Sequence, residues 1–211
     1  MFLSFEGLDG SGKTTQAKLL QEKLVAEQYT VQFLREPGGT EISERIRDIL
    51  LDKKHLGMTE IAELLLFSSA RTQLVTQVIQ PALEKQTIVL CDRFVDSTTA
   101  YQGYGRGLQL DAVKTINAFA TCGVLPHKTF FIDIPVDEMY RRRTANNLSV
   151  DRMEMSSKEF YERVRNGYHA IAKEEPHRFI IINGMQNVET IHQEIYLHVR
   201  AVLLQLHTHG T

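Results

Sequence analysis

The chain reads as an α/β fold built on a mostly parallel sheet, and three observations predict it. Short apolar, β-rich runs alternate with stretches of helical periodicity. The first run leads straight into Gly7-Leu8-Asp9-Gly10-Ser11-Gly12-Lys13-Thr14, a glycine-rich loop that opens a helix. The other stretches with marked chemical character also follow strands, where ligands gather in open α/β sheets. With 211 residues and no linker, repeat or low-complexity segment, one domain over 1–211 is expected.

Met1–Phe5 is short and apolar, as a buried strand should be. Thr15–Gln28 follows as a helix, with Ala17, Leu20, Leu24 and Val25 at helical spacing. Thr30–Leu34 is the second strand. Gly38-Gly39-Thr40 turns the chain into a helix over Glu41–Leu51. The helix over Thr59–Lys85 is long, and Pro81 predicts a bend or an end near it. Thr87–Cys91 is the third strand. Ser97–Gly107, rich in Tyr, Gln and Gly, has the composition of a loop. Asp111 is an expected N-cap for a helix over Asp111–Thr121. Thr129–Ile134 and Phe179–Ile182 complete five strands, and Asp137–Thr144, Lys158–Glu174 and Val188–Leu206 complete the helices. Thr144–Arg152 is polar without a strong period, which suits either a mobile lid or a plain surface loop.

Composition narrows the class. A net charge of −2 gives no global basic field for nucleic acid or an anionic membrane. Cys91 and Cys122 are the only cysteines and form no C-x-x-C pair, so a reducing compartment is expected. No secretory signal and no apolar run of membrane-spanning length are visible, and a cytoplasmic address is expected. His207 and His209 sit in a tail expected to fray and receive no metal.

Several stretches carry chemistry. The glycine loop lets backbone N–H groups converge on phosphate oxygens, and the new helix adds its positive end. Lys13 can reach β- and γ-phosphates and Thr14 can hold Mg²⁺. Spacing and flanks together favour nucleoside triphosphate binding over a chance glycine turn. Arg35-Glu36-Pro37-Gly38-Gly39-Thr40 is either a surface turn or a phosphate fork on Arg35. Asp92 ends an apolar strand in the Walker B manner and would hold Mg²⁺; capping of the next helix is the competing role. Arg93 suits a second anion. Gln102 can offer an acceptor and a donor to a base edge, and Tyr101 can shape a sugar pocket, although both are common loop residues. Phe67 and Arg71 share a helix face, as a base-and-phosphate pair or as a core ring beside a surface cation. Arg141-Arg142-Arg143 suits the C-terminal end of its helix.

Read together, five stretches resemble the thymidylate kinase family over most of the chain. They are Phe5-Glu6-Gly7 through Lys13-Thr14-Thr15, Arg35 through Thr40, Asp92-Arg93-Phe94 with Ser97, Ala100-Tyr101-Gln102-Gly103, and Asp151-Arg152. The resemblance implies a P-loop NTPase kinase core: a five-stranded parallel sheet flanked by helices, with a short lid over about 144–156. It implies transfer of the ATP γ-phosphate to dTMP with Mg²⁺, in a cytoplasmic homodimer feeding dTTP synthesis. Gly7, Gly10, Ser11, Gly12, Lys13, Thr14 and Thr15 would then take the ATP phosphates. Thr14 and Asp92 would hold the metal. Asp9 would approach the sugar 3′-hydroxyl, and Arg35, Arg47, Arg71 and Arg93 would cluster on the dTMP phosphate. Phe67 would stack on thymine, Ser97 and Gln102 would meet its edge, and Tyr101 would disfavour a 2′-hydroxyl. Arg142 would stack on adenine. Some members place an arginine directly after the loop acid. Here that position is Gly10, so a lid arginine, Arg152, is expected to neutralise the transferring group. The catalytic set implied is Lys13, Asp9, Arg93 and Arg152.

Three rivals belong to nearby or different classes. A kinase for UMP, CMP or dUMP differs only in the base-reading residues. A regulatory GTPase needs an N-K-x-D segment, which the chain lacks; Asn146-Asn147 is not one. A nucleic-acid module needs a basic stripe with interleaved aromatics, and only Arg141–Arg143 comes near.

Overall fold

A computed structural model describes residues 1–145 and 151–208. Residues 146–150 of the expected lid, and His209, lie outside the described residues. Five strands, β1 (Phe2–Glu6), β2 (Val31–Arg35), β3 (Ile88–Asp92), β4 (Lys128–Asp133) and β5 (Phe179–Asn183), form one parallel sheet. Their order is β2-β3-β1-β4-β5. β1 and β3 are buried at every position, which is why both read as largely apolar runs.

Alternate residues feed opposite faces of the sheet. Leu3, Phe5, Leu90 and Ile132 pack with residues of α1 (Lys13–Ala26). On the other face, Phe2, Val89 and Cys91 pack against Leu74 near the end of α3, below. Seven more helices follow α1 down to α8: α2 (Glu41–Leu51), α3 (Glu60–Leu74), α4 (Gln80–Glu84), α5 (Val95–Thr98), α6 (Leu110–Ala120), α7 (Val136–Ala145) and α8 (Lys158–Glu174). The last is α9 (Val188–Thr208), which joins α1 on its face through Ile195 and Val199. Local chemistry starts several of them. Thr40, Thr59 and Ser157 accept from Ser43, Ala62 and Phe160 backbone N–H groups as N-caps of α2, α3 and α8.

Three local expectations need correction. The rod expected over Thr59–Lys85 is helical throughout, but a π-helical turn at Val75–Ile79 separates α3 from α4. Gln80 N–H reaches Val75 O, five residues back. The wider turn sits just before Pro81, whose ring and missing N–H disrupt ordinary α-helical bonding. Ser97–Gly107 is no loop: it begins in α5 and continues as a π-helical stretch over Thr99–Gly105. The glycines there serve packing. A Cβ on Gly105 would lie 2.7 Å from the Phe160 ring and 2.8 Å from Val164 on α8. Asp111 does not cap α6. The helix starts at Leu110, Gln109 holds the cap position without a side-chain bond, and Asp111 falls in the first turn.

Candidate active site

The sheet order sets the site. β1 lies between β3 and β4, and β3 between β2 and β1, so the carboxyl ends of β1, β2 and β3 are adjacent. Register pairs Phe5 with Asp92 and Arg35 with Asp92. The loop after β1 wraps into α1. Gly7, Gly10 and Gly12 all have positive φ, and a Cβ on Gly7 would lie 2.5 Å from Ile132 O. Gly12 occupies the N-cap of α1 with no side-chain bond and no acidic residue in the first turn. The helix end is therefore open to an anion.

Lys13 is buried and donates to Leu8 O at 2.8 Å, with Asp9 Oδ1 4.0 Å away. Burial, then Arg93, lower its ammonium pKa to about 8 against the pull of Asp9, Asp92 and Glu6. Thr14 donates its hydroxyl to Asp92 Oδ2. Asp9 meets Arg93 Nη2 at 2.5 Å. Burial opposes ionisation of Asp9, but Arg93 and Lys13 outweigh it and hold the carboxyl below its usual range. Arg93 has φ 70°, a left-handed backbone that turns its side chain between Asp9, Ser97 (3.2 Å), Tyr101 (3.3 Å) and Tyr168 (3.4 Å).

A cleft of about 220 Å³ opens beside this loop. The structure brings Asp9, Arg35, Arg47, Phe67, Arg71, Arg93, Ser97, Tyr101 and Gln102 to its wall, together with Asp92. Their roles within it differ. Arg35 is half-exposed and pairs with Glu44 at 3.1 Å. Arg47 donates to Pro37 O at 2.9 Å. Tyr101 lies under the Arg93 guanidinium, 5.1 Å from ring centre to Cζ.

Arg71 lines the cleft with the other arginines and is engaged within the protein. It is 1% exposed, its Nη1 donates to Asn117 Oδ1 at 2.9 Å, and its Nη2 donates to Glu36 Oε2 (2.9 Å) and Thr98 Oγ1 (2.7 Å). Its Nε lies 2.7 Å from Glu36 Oε1 but off the hydrogen-bond axis. With Glu36, Asn117 and Thr98 on its two Nη groups, Arg71 forms part of the cleft floor.

Arg152 is likewise paired within the protein. Its guanidinium is spent on Leu50 O at 2.6 Å and on Glu63 Oε2 at 2.7 Å, and it is buried. In this structure it ties residues 151–153 to the end of α2 and does not lie over the phosphate loop. Arg142 is held beside that loop: Nη1 donates to Gly10 O at 3.2 Å, Nη2 to Gly184 O at 3.0 Å, and Nε to Glu138 at 2.6 Å. Arg141, Arg142 and Arg143 form no stripe. Arg141 pairs with Glu138 in solvent, Arg142 is partly covered, and Arg143 is buried.

Sequence reasoning missed four groups. Glu6, at the end of β1, is fully buried and accepts from Ser97 Oγ (2.6 Å), Phe94 N (2.7 Å) and Tyr168 OH (2.9 Å). Burial, then the Asp96 charge, push its carboxyl up to about 7, against Arg93, Ser97 and Phe94. Glu36 neutralises Arg71 and Glu63 gathers Gln102, Arg106 and Arg152. Tyr168 bridges Glu6 and Arg93 from α8. Glu63 had a signal, four residues before Phe67 on one helix face. Tyr168 had none, because only the fold brings residue 168 to residue 6.

As oxygen donors, Thr14 and Asp92 suit a hard cation. Among the described residues no group of three or more His, Cys, Asp or Glu forms a metal cage. A Mg²⁺ ion held by one hydroxyl, one carboxylate and substrate phosphates needs no such cage.

The thymidylate kinase family model matches residues 5–195. Thymidylate kinase of Thermoanaerobacter sp. is 49% identical over 194 residues, covering 92% of this chain and 94% of its own. That of Kosmotoga olearia is 50% identical over 195 residues, covering 92% and 93%. A crystal structure of thymidylate kinase from Ehrlichia chaffeensis superposes with a TM-score of 0.76 at 40% identity, covering 94% of this chain and 98% of that one. With a glycine-rich loop and a cleft side by side at the ends of its strands, and with these matches along nearly its whole length, the chain belongs to the thymidylate kinase family.

Proposed function

We propose that the chain transfers the γ-phosphoryl group of ATP to the phosphate of dTMP, giving ADP and dTDP. One observation carries the reading. Asp9 touches Arg93 at 2.5 Å and lies 4.0 Å from Lys13, so an anion site in the cleft adjoins the one in the loop. Two phosphates can therefore meet across a single carboxylate, with cations on both sides. The acceptor phosphate is already ionised, so no strong general base is required, and alignment with charge neutralisation supplies the catalysis.

In this reading the loop backbone, Lys13, Thr14 and Thr15 hold the ATP phosphates. Arg35, Arg47 and Arg93 hold the dTMP phosphate, Phe67 stacks on thymine, and Tyr101 borders the sugar. Arg142, its edge spent on backbone carbonyls, presents a guanidinium plane to adenine. Thr14 and Asp92 would hold Mg²⁺, which when bound offsets charge between the β- and γ-phosphates. A cytoplasmic setting, where both nucleotides are found, goes with the proposal; Cys91 and Cys122 are free thiols. Among the described residues no helix is long and apolar enough to cross a membrane. A homodimer is also proposed, on the exposed apolar residues of α3 and α6.

The test is ADP release from Mg-ATP with dTMP, dUMP, ribo-TMP, UMP, CMP and AMP. Turnover concentrated on dTMP, with weak use of dUMP, is expected. Better turnover of another monophosphate would overturn the acceptor assignment while keeping the kinase. No acceptor-stimulated release would overturn both.

A further inference from the structure

We propose that Glu63 is a positioning residue for the acceptor base: it fixes which end of the Gln102 amide faces the cleft, and it ties that choice to the chain at residues 151–153. The proposal rests on the kinase reading above. Glu63 is 1% exposed and sits one helical turn before Phe67 on the same side of α3. Its oxygens collect contacts from two other parts of the chain. Oε1 accepts from Gln102 Nε2 at 2.9 Å and from Arg106 Nε at 3.1 Å. Oε2 accepts from Arg106 Nη2 at 3.1 Å and lies 2.7 Å from Arg152 Nη2.

An ionised carboxylate only accepts hydrogen bonds, so it selects the NH₂ end of Gln102. The carbonyl oxygen is then the end that the amide has left for an occupant of the cleft that Gln102 lines. An acceptor there matches the N3–H of thymine or uracil. It opposes neutral cytosine, whose N3 is itself an acceptor. Two acceptors facing each other without a proton leave both unsatisfied, and polar sites discriminate strongly on that mismatch.

The two arginines make this orientation firm. Burial pushes the Glu63 carboxyl up, but hydrogen bonds from Arg106, Gln102 and Arg152 outweigh it and hold it below its usual range. A protonated Glu63 would be both donor and acceptor and would hold the amide either way round. Arg152 extends the linkage. Its Nε donates to Leu50 O at 2.6 Å and its backbone N–H to Leu51 O at 3.1 Å. Leu51, Asp151 and Met153 line the same cleft. One carboxylate therefore anchors both the amide at the base and the cleft wall at residues 151–153.

The test is steady-state kinetics with dTMP and dCMP at saturating Mg-ATP, and with Mg-ATP varied at saturating dTMP, for wild type, Glu63→Gln, Gln102→Asn and the double variant. Glu63→Gln can face either end of the Gln102 amide, so KM for dTMP should rise about tenfold and the preference for dTMP over dCMP should fall by a similar factor. KM for ATP should stay unchanged, a split that general loss of structure does not produce. Gln102→Asn withdraws the amide from Glu63 and leaves the charges in place, so it should lose the same preference. Because Glu63 acts through Gln102, the double variant should be no less selective than the worse single variant. Additive losses, or a parallel rise in both KM values, would overturn the proposal. If Glu63→Gln does not fold, Gln102→Asn decides alone: wild-type preference in that variant overturns the proposal. Wild type that shows no dTMP-stimulated ADP release would sink the kinase reading itself, and is distinguishable for that reason.

Discussion

Burial acts in opposite directions on Lys13 and Glu6, and each direction predicts something. For Lys13, burial disfavours the ammonium, and an incoming polyphosphate restores it. Lys13→Met removes the cation that meets the transferring group but touches no wall of the acceptor cleft. It should lower kcat by on the order of 10³-fold or more. Binding of dTMP, measured by calorimetry, should be nearly unchanged; its loss would mean the cleft depends on Lys13 in a way the geometry lacks. For Glu6, burial favours the neutral acid, with a folded pKa of about 7 against an ordinary 4.5. Between those values the folded state holds a proton that the unfolded state has released. The contribution of Glu6 to stability is thus fully present below about pH 4.5 and is lost as pH rises through 7, by about 3 kcal/mol. His127 and His192, held low by burial, push the other way over part of that range. Urea unfolding of wild type and Glu6→Gln at pH 5 and pH 8 separates them. Wild type should lose stability relative to Glu6→Gln at the higher pH, and an equal change in both would remove the Glu6 assignment.

At the scale of elements, the stretch after β3 shows what packing adds to composition. Tyr, Gln and Gly in Ser97–Gly107 read as loop, yet α8 packs so closely that the same glycines become the reason for helical order. Gly105→Ala should therefore destabilise the fold by about 1–3 kcal/mol, as overpacking does. Urea denaturation measures it, and a neutral result would mean that Phe160 and Val164 yield freely. The strands, the phosphate loop and most helices were legible because each is a local pattern: an apolar run, a glycine spacing, a 3.6-residue period. The π-helical turn before Pro81 was half legible, since proline announces a disturbance but not how the backbone absorbs it. The resemblance implies phosphate roles for Arg71 and Arg152. The carboxylates they meet in this structure, Glu36 and Glu63, lie 35 and 89 positions away, and charge pairing at such separations leaves no periodic trace.

For the whole molecule, α3 joins the acceptor cleft to an outer surface. Its inner side carries Phe67, Arg71 and Glu63. Its outer side carries Ile61 and Leu65, 61% and 48% exposed, and the neighbouring α6 adds Phe119 at 85%. Thr72 Oγ1 donates to Ala120 O at 3.1 Å, which keeps the two helices side by side. Such apolar groups on adjacent helices suit an isologous dimer, in which a single substitution acts twice. Burial of each Phe119 contributes about 2 kcal/mol, so Phe119→Asp should weaken a symmetric dimer by at least about 4 kcal/mol, or roughly a thousandfold in Kd. Sedimentation velocity should show a dimer for wild type and a monomer for the variant at micromolar concentration. Phe119 is 85% exposed in its own chain, so the thermal stability of the monomer should hardly change. The consequence reaches the cleft: once α3 loses its outer support, KM for dTMP should rise while KM for ATP, governed by the loop after β1, should not. A wild type that sediments as a monomer would remove the pairing, and a monomeric variant with unchanged dTMP kinetics would show that α3 holds its inner face without a partner.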